Sequence, residues 1–137
     1  MNQHVLDTSV ALAWYLPETF SDAARRWQTK LLRDEVSLCV PSLHYWEFAN
    51  VLRTYVRRGE LEQELAYEIY TMHLEAPLVT VEPDRTQILA RAFEYGATLY
   101  DAVYIALCLS LEVPLVTAEK TTTPWVVKLG DRVRSVS

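Results

Sequence analysis

Four acidic residues occupy positions from which a folded chain could bring them together: Asp7, Glu47, Asp101 and Glu119. Two of them follow apolar runs that are typical of strands, and the other two lie near the starts of helical patterns. Neighbouring carboxylates repel one another and resist ionising side by side unless a cation neutralises them. Hard oxygen ligands suit Mg²⁺ or Mn²⁺, and such an ion can activate a water to attack phosphorus in line. The four acids therefore predict a divalent-metal site for hydrolysis.

The elements that must position these acids alternate along the chain. Apolar patterns bounded by turn residues predict strands over residues 4–7, 36–40, 78–81, 113–117 and 132–136. Helical spacing and capping residues predict helices over residues 9–16, 21–32, 42–57, 61–74, 83–96 and 98–111. This alternation predicts a mainly parallel sheet covered by helices on both faces, an α/β sandwich. In such a fold strand ends and helix starts share one edge, so we expect the four acids to line that edge.

Size and charge limit the classes of protein to which this chain can belong. With 137 residues, half of them apolar, the chain has the size of one domain spanning residues 1–137. The formal charge of −5 argues against a broad basic face, so a nucleic-acid substrate would be held by metal and a few local arginines. Cys39 and Cys108 lie inside apolar runs, and we expect both to be core residues. Without a membrane-span pattern or a signal-peptide pattern, we expect a cytoplasmic protein.

Each acid taken alone also has a purely structural explanation. Asp7 could cap the helix that follows it, and Asp101 stands three residues after Thr98, which is a capping-box spacing. Glu47 could be an ordinary helix carboxylate, and Glu119 a solvated loop residue. Their joint occurrence favours the functional interpretation, because Asp7 and Asp101 stand among apolar residues, where carboxylates are partly desolvated.

Four polar residues near the acids are candidates for orienting metal ligands or waters: Thr8, Ser9, Asn50 and Thr117. The three hydroxyl residues could equally be plain caps at strand-to-helix junctions, and the amide could be a helix-packing residue. His44 lies three residues before Glu47, but a lone histidine is usually not catalytic. Neither His4 nor His73 is expected to supply a companion for His44.

The first two predicted helices carry five large apolar residues: Trp14, Tyr15, Leu16, Phe20 and Trp27. Such a surplus in so short a stretch often marks an interface with another protein. The alternative, that all five fill the core, is equally consistent with the pattern.

Four segments stand in a fixed order along the chain: VLDTS at residues 5–9, VPSL at 40–43 leading to EFANVL at 47–52, YDAVYIA at 100–106, and PLVTAE at 114–119. In this order they resemble the PIN-domain ribonucleases, and most closely the VapC toxins of bacterial toxin–antitoxin pairs. No single segment is specific, whereas the ordered set is, and it spans nearly the whole chain.

This resemblance implies a three-layer α/β/α sandwich with a parallel, roughly five-stranded sheet. It also implies an endoribonuclease that uses Mg²⁺ or Mn²⁺, acts on single-stranded RNA or exposed RNA loops, binds a small antitoxin protein and forms a homodimer. Asp7, Glu47 and Asp101 match the family's three core acids. The fourth position departs from the usual Thr-x-Asp, because Glu119 stands two residues after Thr117. We expect the longer side chain to reach the metal directly or through water.

Three other functions fit parts of the pattern. A PIN-like scaffold or RNA-binding protein that has lost activity through its altered fourth acid is the nearest alternative. A Mg²⁺-binding receiver module needs adjacent acids at the first strand end and a phospho-acceptor Asp after the third, where this chain has Asp7-Thr8 and Glu82. A haloacid-dehalogenase-type phosphatase would need a second Asp two residues after Asp7, where Ser9 stands.

Overall fold

Five short strands form the central sheet of the computed structural model, which describes residues 2–137. In chain order the strands are β1 (Asn2–Leu6), β2 (Val36–Val40), β3 (Val79–Thr80), β4 (Leu115–Thr117) and β5 (Val133–Ser135). They pair in the order β3-β2-β1-β4-β5, and every pairing is parallel. The predicted parallel sheet is confirmed, and β1 lies at its centre.

Seven α-helices in the described residues cover the two faces of the sheet. They are α1 (Thr8–Leu12), α2 (Ser21–Leu32), α3 (Leu43–Arg57), α4 (Gln63–Leu74), α5 (Arg85–Tyr95), α6 (Leu99–Leu111) and α7 (Pro124–Leu129), and a 3₁₀ helix follows over Gly130–Arg132. Parallel strands need crossover connections, so these helices return the chain and begin beside the strand ends. Between residues 2 and 137, no helix is both long and apolar enough to cross a membrane.

Each face of the sheet has its own apolar cluster, because successive side chains of a strand point to opposite faces. Leu6 of β1 belongs to a cluster with Phe48 of α3, whereas Val5 belongs to a second cluster with Ile105 of α6. All four side chains are fully buried. Burial on both faces fixes the register of β1 and therefore the position of the residue that follows it, Asp7.

Helix α6 is apolar on nearly every side. Residues 104–108 of this helix are all buried, so it lacks a wide polar face. Cys108 of α6 and Cys39 of β2 are buried free thiols, which confirms that both are core residues. Asp101, near the start of α6, is consequently carried by a helix that packing holds firmly in place.

The chain departs from the predicted elements in three places. Helix α1 ends at Leu12 rather than at residue 16, since residues 13–16 form turns. Strand β3 has only two residues. Helix α7 is absent from the predicted elements because six residues are too few for helical periodicity to show. Its start nevertheless has a sequence signal, since Pro124 occupies the first turn directly after Thr123.

Two of the five large apolar residues of the first two predicted helices are core residues. Trp14 and Leu16 are each 5% exposed, and Trp14 Nε1 donates a hydrogen bond to the Ala24 carbonyl oxygen at 2.9 Å. Three partly buried aromatic residues pack against the same cluster: Tyr15, Phe20 and Trp27. The core-filling alternative is therefore confirmed for Trp14 and Leu16, whereas the interface interpretation of the other three residues stays a prediction.

Candidate active site

One open cleft at the carboxyl edge of the sheet brings the predicted acids together. It has a volume of about 450 Å³ and is lined by all four of them: Asp7, Glu47, Asp101 and Glu119. Two of these residues come directly or shortly after β1 and β4, and the other two lie near the starts of α3 and α6. Lys120 also lines the cleft. The geometry of the fold thus places the acids at one edge.

Asp7 is held by side-chain hydroxyl groups, and its carboxylate does not cap the backbone of the helix that follows it. Its side chain makes no capping bond to α1, although Asp7 stands at the N-cap position. Its Oδ2 atom instead accepts hydrogen bonds from Thr117 Oγ1 at 2.8 Å and from Ser9 Oγ at 3.2 Å. The structural alternative of a helix cap therefore does not apply, and two of the candidate orienting residues contact this carboxylate.

The same two hydroxyl groups join the end of β1 to the loop after β4. Thr117 Oγ1 accepts a hydrogen bond from the Glu119 backbone N–H at 3.1 Å, and Ser9 Oγ accepts one from the Ala118 N–H at 3.4 Å. Each hydroxyl therefore accepts from the loop while it donates to Asp7. This arrangement fixes the Asp7 carboxylate relative to the backbone that carries Glu119.

Glu47 is fixed through one of its two carboxylate oxygens. Its Oε1 atom accepts hydrogen bonds from Tyr104 OH at 2.7 Å and from Thr8 Oγ1 at 3.0 Å. The two hydroxyl groups also contact each other. Tyr104 is a functional candidate that sequence analysis missed. The sequence feature that could have identified Tyr104 is its position one helical turn after Asp101, which places both side chains on the same side of α6.

Asp101 combines a capping contact with a place in the cleft. Thr98 is the N-cap residue of α6, and its hydroxyl oxygen accepts a hydrogen bond from the Asp101 backbone N–H at 3.1 Å. The capping-box spacing therefore has a structural use at the backbone of Asp101. Because the Asp101 side chain lines the cleft at the same time, the structural and functional explanations are compatible.

Glu119 is anchored by the helix that sequence analysis missed. Its Oε1 atom accepts a hydrogen bond from Thr123 Oγ1 at 3.0 Å, and Thr123 is the residue that precedes α7. The threonine-rich stretch before Pro124 thus connects the fourth acid to a packed element. The side chain of Glu119 is half-buried rather than a solvated loop carboxylate.

The polar residues of α3 depart from their predicted places. Asn50 is exposed and is not among the residues that line the cleft, because α3 turns its Phe48 and Leu52 side towards the core. His44 does have a histidine companion, contrary to prediction: its Nε2 atom lies 2.8 Å from His73 Nε2. Sequence spacing gives no sign of this pair, since His73 comes from α4.

Both histidines of this pair are neutral at neutral pH. Burial lowers the pKa of His44 to about 3, and the proximity of His73 contributes. Burial likewise lowers the pKa of His73 to about 4. The pair therefore adds no positive charge beside Glu47.

The acids themselves ionise less readily than isolated carboxylates. Burial, and then the nearby charges of Asp101 and Glu47, raise the pKa of Asp7 to about 6 against the opposing hydrogen bond from Thr117. Burial also raises the pKa of Glu47 and that of Asp101. Across the described chain, no lysine or arginine forms an ion pair with any of these carboxylates. The cleft therefore holds negative charge without an ion-paired basic side chain in the described residues.

The donor set fits a hard divalent cation that is held partly through water. Over residues 2–137, no three His, Cys, Asp or Glu side chains converge closely enough to enclose an ion directly. Hydroxyl groups also engage one oxygen each of Asp7, Glu47 and Glu119. Mg²⁺ keeps several waters and usually takes only one or two carboxylates. A cleft of carboxylates without ion-paired cations therefore suits Mg²⁺, even though protein ligands do not surround the ion completely.

The fold and the cleft together define an α/β protein with an acidic site at the carboxyl edge of an open parallel sheet, the edge where ligands bind in such folds. The family described as PIN domain matches residues 4–121, a range that contains all four acids. This chain belongs to the PIN domain family.

Similar proteins support that placement. Ribonuclease VapC3 from Pyrobaculum aerophilum is 28% identical over 120 residues, which cover 85% of this chain and 88% of the relative. The crystal structure of PAE2754 from Pyrobaculum aerophilum has a TM-score of 0.75 at 22% identity, covering 96% of this chain and 83% of that one. A toxin-antitoxin complex from Klebsiella pneumoniae has a TM-score of 0.63 at 14% identity, over 98% of both chains. VapBC2 from Rickettsia felis, bound to a promoter DNA fragment, has a TM-score of 0.64 at 11% identity, covering 97% of this chain and 98% of that one.

Asp7→Asn is expected to stabilise the metal-free protein at pH 7. The folded-state pKa of about 6 exceeds the ordinary 3.8, so the folded protein binds more protons between these values and its stability falls as pH rises through them. This difference corresponds to roughly 2–3 kcal/mol at pH 7, a cost that the neutral amide avoids.

Urea denaturation in EDTA at pH 7 and at pH 4 measures this effect. The stability gap between Asp7→Asn and the parent should be large at pH 7 and small at pH 4, where the folded parent already carries the proton. Asp22→Asn is the matched control, because the Asp22 side chain is 96% exposed. A gap of equal size at both pH values would contradict the prediction.

Proposed function

We propose that this PIN domain protein is a metal-dependent endoribonuclease, built as one domain over residues 1–137, and the toxin of a toxin–antitoxin pair. The observation that carries the proposal is the cleft in which the four acids lie together without an ion-paired basic partner in the described residues. A relative named as a ribonuclease covers most of the chain, and two similar structures contain toxin–antitoxin proteins. These likenesses support both parts of the proposal.

The four acids would hold Mg²⁺ or Mn²⁺, and a bound ion of this kind polarises a phosphate oxygen and activates a water for attack on phosphorus. The chain's own residues orient the ligands. Thr117 and Ser9 fix Asp7 through its Oδ2 atom, and Tyr104 and Thr8 fix Glu47 through its Oε1 atom. Because these donors are uncharged hydroxyls, they orient the carboxylates without neutralising the charge that the ion requires.

The proposed substrate is single-stranded RNA or an exposed RNA loop in the cytoplasm. With a net charge of −5, the protein lacks the broad electrostatic attraction to phosphates on which duplex binding depends. The open cleft offers Lys120 and a metal site for a phosphate at the point of cleavage. A flexible strand can bring one phosphate to such a local site, whereas duplex recognition relies on contacts across wide faces.

A second groove, between α3 and α4, fits the proposed antitoxin. It has a volume of about 470 Å³ and is lined chiefly by apolar and aromatic residues: Ala49, Leu52, Val56, Ala66, Tyr67 and Tyr70. Arg53 and Arg57 stand beside them. The complementary partner is a helix that presents apolar side chains flanked by acidic ones. This groove is the docking surface that we propose for the antitoxin.

Exposed apolar side chains on α5 and α6 support the proposed homodimer. Phe93 is 81% exposed, and Leu89, one turn earlier on the same helix, is 62% exposed. Leu99 and Tyr100 of α6 line a groove together with Leu89. Apolar surface of this extent is typically covered by a second subunit.

The purified protein is expected to cleave single-stranded RNA with Mn²⁺ or Mg²⁺ and to lose this activity in EDTA. Asp101→Asn should lower the rate by roughly 10²-fold or more, because an amide cannot supply the anionic oxygen that holds the ion. Asp131→Asn, an exposed acid outside the cleft, should keep the parental rate. A folded Asp101→Asn protein that cuts RNA as fast as the parent would show that the site is wrongly assigned.

Glu119 is expected to support the metal site rather than the fold. Glu119→Asp should retain much of the activity, whereas Glu119→Ala should weaken Mn²⁺ binding by roughly 10-fold with little change in stability. Calorimetric Mn²⁺ titration measures this, with the exposed Glu112→Ala as control. Identical titration curves for the parent and Glu119→Ala would assign Glu119 to the surface and favour the inactive-scaffold alternative.

Expression of the protein alone is expected to arrest growth, and co-expression of a short neighbouring reading frame should restore it. The Asp7→Asn variant should be harmless in both conditions. The small partner should copurify with the parent as a complex that contains two copies of this chain, and Arg53→Glu should release it. A harmless parent that elutes as a monomer without a small partner would contradict the toxin assignment and leave the nuclease assignment standing.

A further inference from the structure

A buried chain of hydrogen bonds connects Glu47 to the hydroxyl group of Tyr15. Tyr15 OH lies 3.1 Å from His73 Nδ1, and His73 Nε2 lies 2.8 Å from His44 Nε2. His44 Nδ1 lies 3.1 Å from Thr8 Oγ1, and that hydroxyl donates to Glu47 Oε1 at 3.0 Å. Both imidazoles are completely buried. The cleft is thus linked to the interior of the first apolar cluster by polar groups alone.

The direction of this chain follows from the donors and acceptors that it contains. A hydroxyl group has one proton, and a carboxylate can only accept. Thr8 therefore gives its one proton to Glu47 Oε1, or to Tyr104 OH, which itself donates to Glu47. Giving it to His44 Nδ1 instead would leave two of the three oxygen–oxygen contacts among Thr8, Tyr104 and Glu47 without a proton. Thr8 Oγ1 must then accept a hydrogen bond from His44, which requires the proton of His44 to be on Nδ1.

The remaining contacts follow from this first assignment. A neutral imidazole with its proton on Nδ1 has an acceptor at Nε2, so His44 Nε2 accepts from His73 Nε2–H. His73 Nδ1 then accepts from the Tyr15 hydroxyl group. Each contact from Tyr15 through His73 and His44 to Thr8 has one donor and one acceptor, and each of these donors points towards Glu47.

We propose that His44 and His73 are positioning residues that set the orientation of the Glu47 carboxylate in the acidic cleft. The proposal rests on the proposed metal-dependent function, because it concerns how Glu47 is presented to the ion. Thr8 and Tyr104 both engage Oε1, which leaves Oε2 without a hydrogen-bond donor from any described residue. Without the donor from His73, His44 can shift its proton to Nε2, and Thr8 can then turn its hydroxyl away from Glu47.

The key comparison is between His73→Gln and His73→Leu. The glutamine side-chain amide can replace the Nε2–H donor to His44, whereas leucine fills similar space without a donor. Metal-free ¹⁵N NMR at pH 7 reads the tautomers, which is practical because the chain has only three histidines. The parent should carry its protons on His44 Nδ1 and His73 Nε2. In His73→Leu the His44 signal should change, and in His73→Gln it should remain.

Mn²⁺ titration of the same proteins measures the effect on the site. His73→Leu should bind Mn²⁺ roughly 10-fold more weakly than the parent, and His73→Gln within about 3-fold of it. Thr8→Val and Thr8→Ser give the same contrast at the next contact, since serine keeps the hydroxyl donor and valine removes it. The comparison of Thr8→Val with Thr8→Ser tests the same proposal if His73→Leu fails to fold.

A His44 proton found on Nε2 in the parent would overturn the proposed direction of the chain. Equal Mn²⁺ affinities for the leucine and glutamine variants, and for Thr8→Val and Thr8→Ser, would overturn the positioning role and leave the histidines as packing residues. In both cases the parent binds Mn²⁺. A parent that shows the expected tautomers but binds no Mn²⁺ is a different result, because it overturns the proposed metal-dependent function and the positioning role together.

Discussion

The structure depends on one constraint, which is the negative charge of four acids at one edge of the sheet. In the described chain, no basic side chain forms an ion pair with them. Burial and mutual repulsion raise the pKa of Asp7 to about 6, which corresponds to a cost of roughly 2–3 kcal/mol at neutral pH. A hydrogen bond to a charged group contributes about 1.5–3 kcal/mol. The hydrogen bonds from Thr117 and Ser9 already hold the pKa of Asp7 down, so the cost of the acidic cleft would be larger without them.

The use of hydroxyl groups, instead of lysine or arginine, suits the proposed metal site. A cationic side chain would stabilise these carboxylates more strongly, but it would occupy the electrostatic minimum that a divalent ion needs. Thr8 and Tyr104 hold Glu47 with neutral donors. The histidine pair, His44 and His73, is also neutral and continues the hydrogen-bond chain into the interior. The site is thereby rigid and still strongly negative.

The sequence predicts the sheet, most helices and the meeting of the four acids, because apolar runs buried on two faces are conspicuous and α/β topology places their ends at one edge. It does not predict the links between the acids. Thr8 meets His44 across 36 residues and Tyr104 across 96, and no local pattern encodes such contacts. Helix α7 is not predicted because it is too short to show helical periodicity. The aromatic residues from Trp14 to Trp27 are ambiguous because periodicity does not distinguish a core face from an interface face.

The hydrogen bond from Thr117 to Asp7 spans 110 residues, and β4, which carries Thr117, pairs directly with β1. Chains emerge from the ribosome N-terminus first. The first acid is therefore translated before the strand that orients it, because Thr117 follows Asp7 by 110 residues. A nascent chain holds Asp7 and Glu47 long before it holds the partners that assemble the cleft. For a nuclease translated from an RNA message, the cleft therefore stays incomplete until β4 has been synthesised.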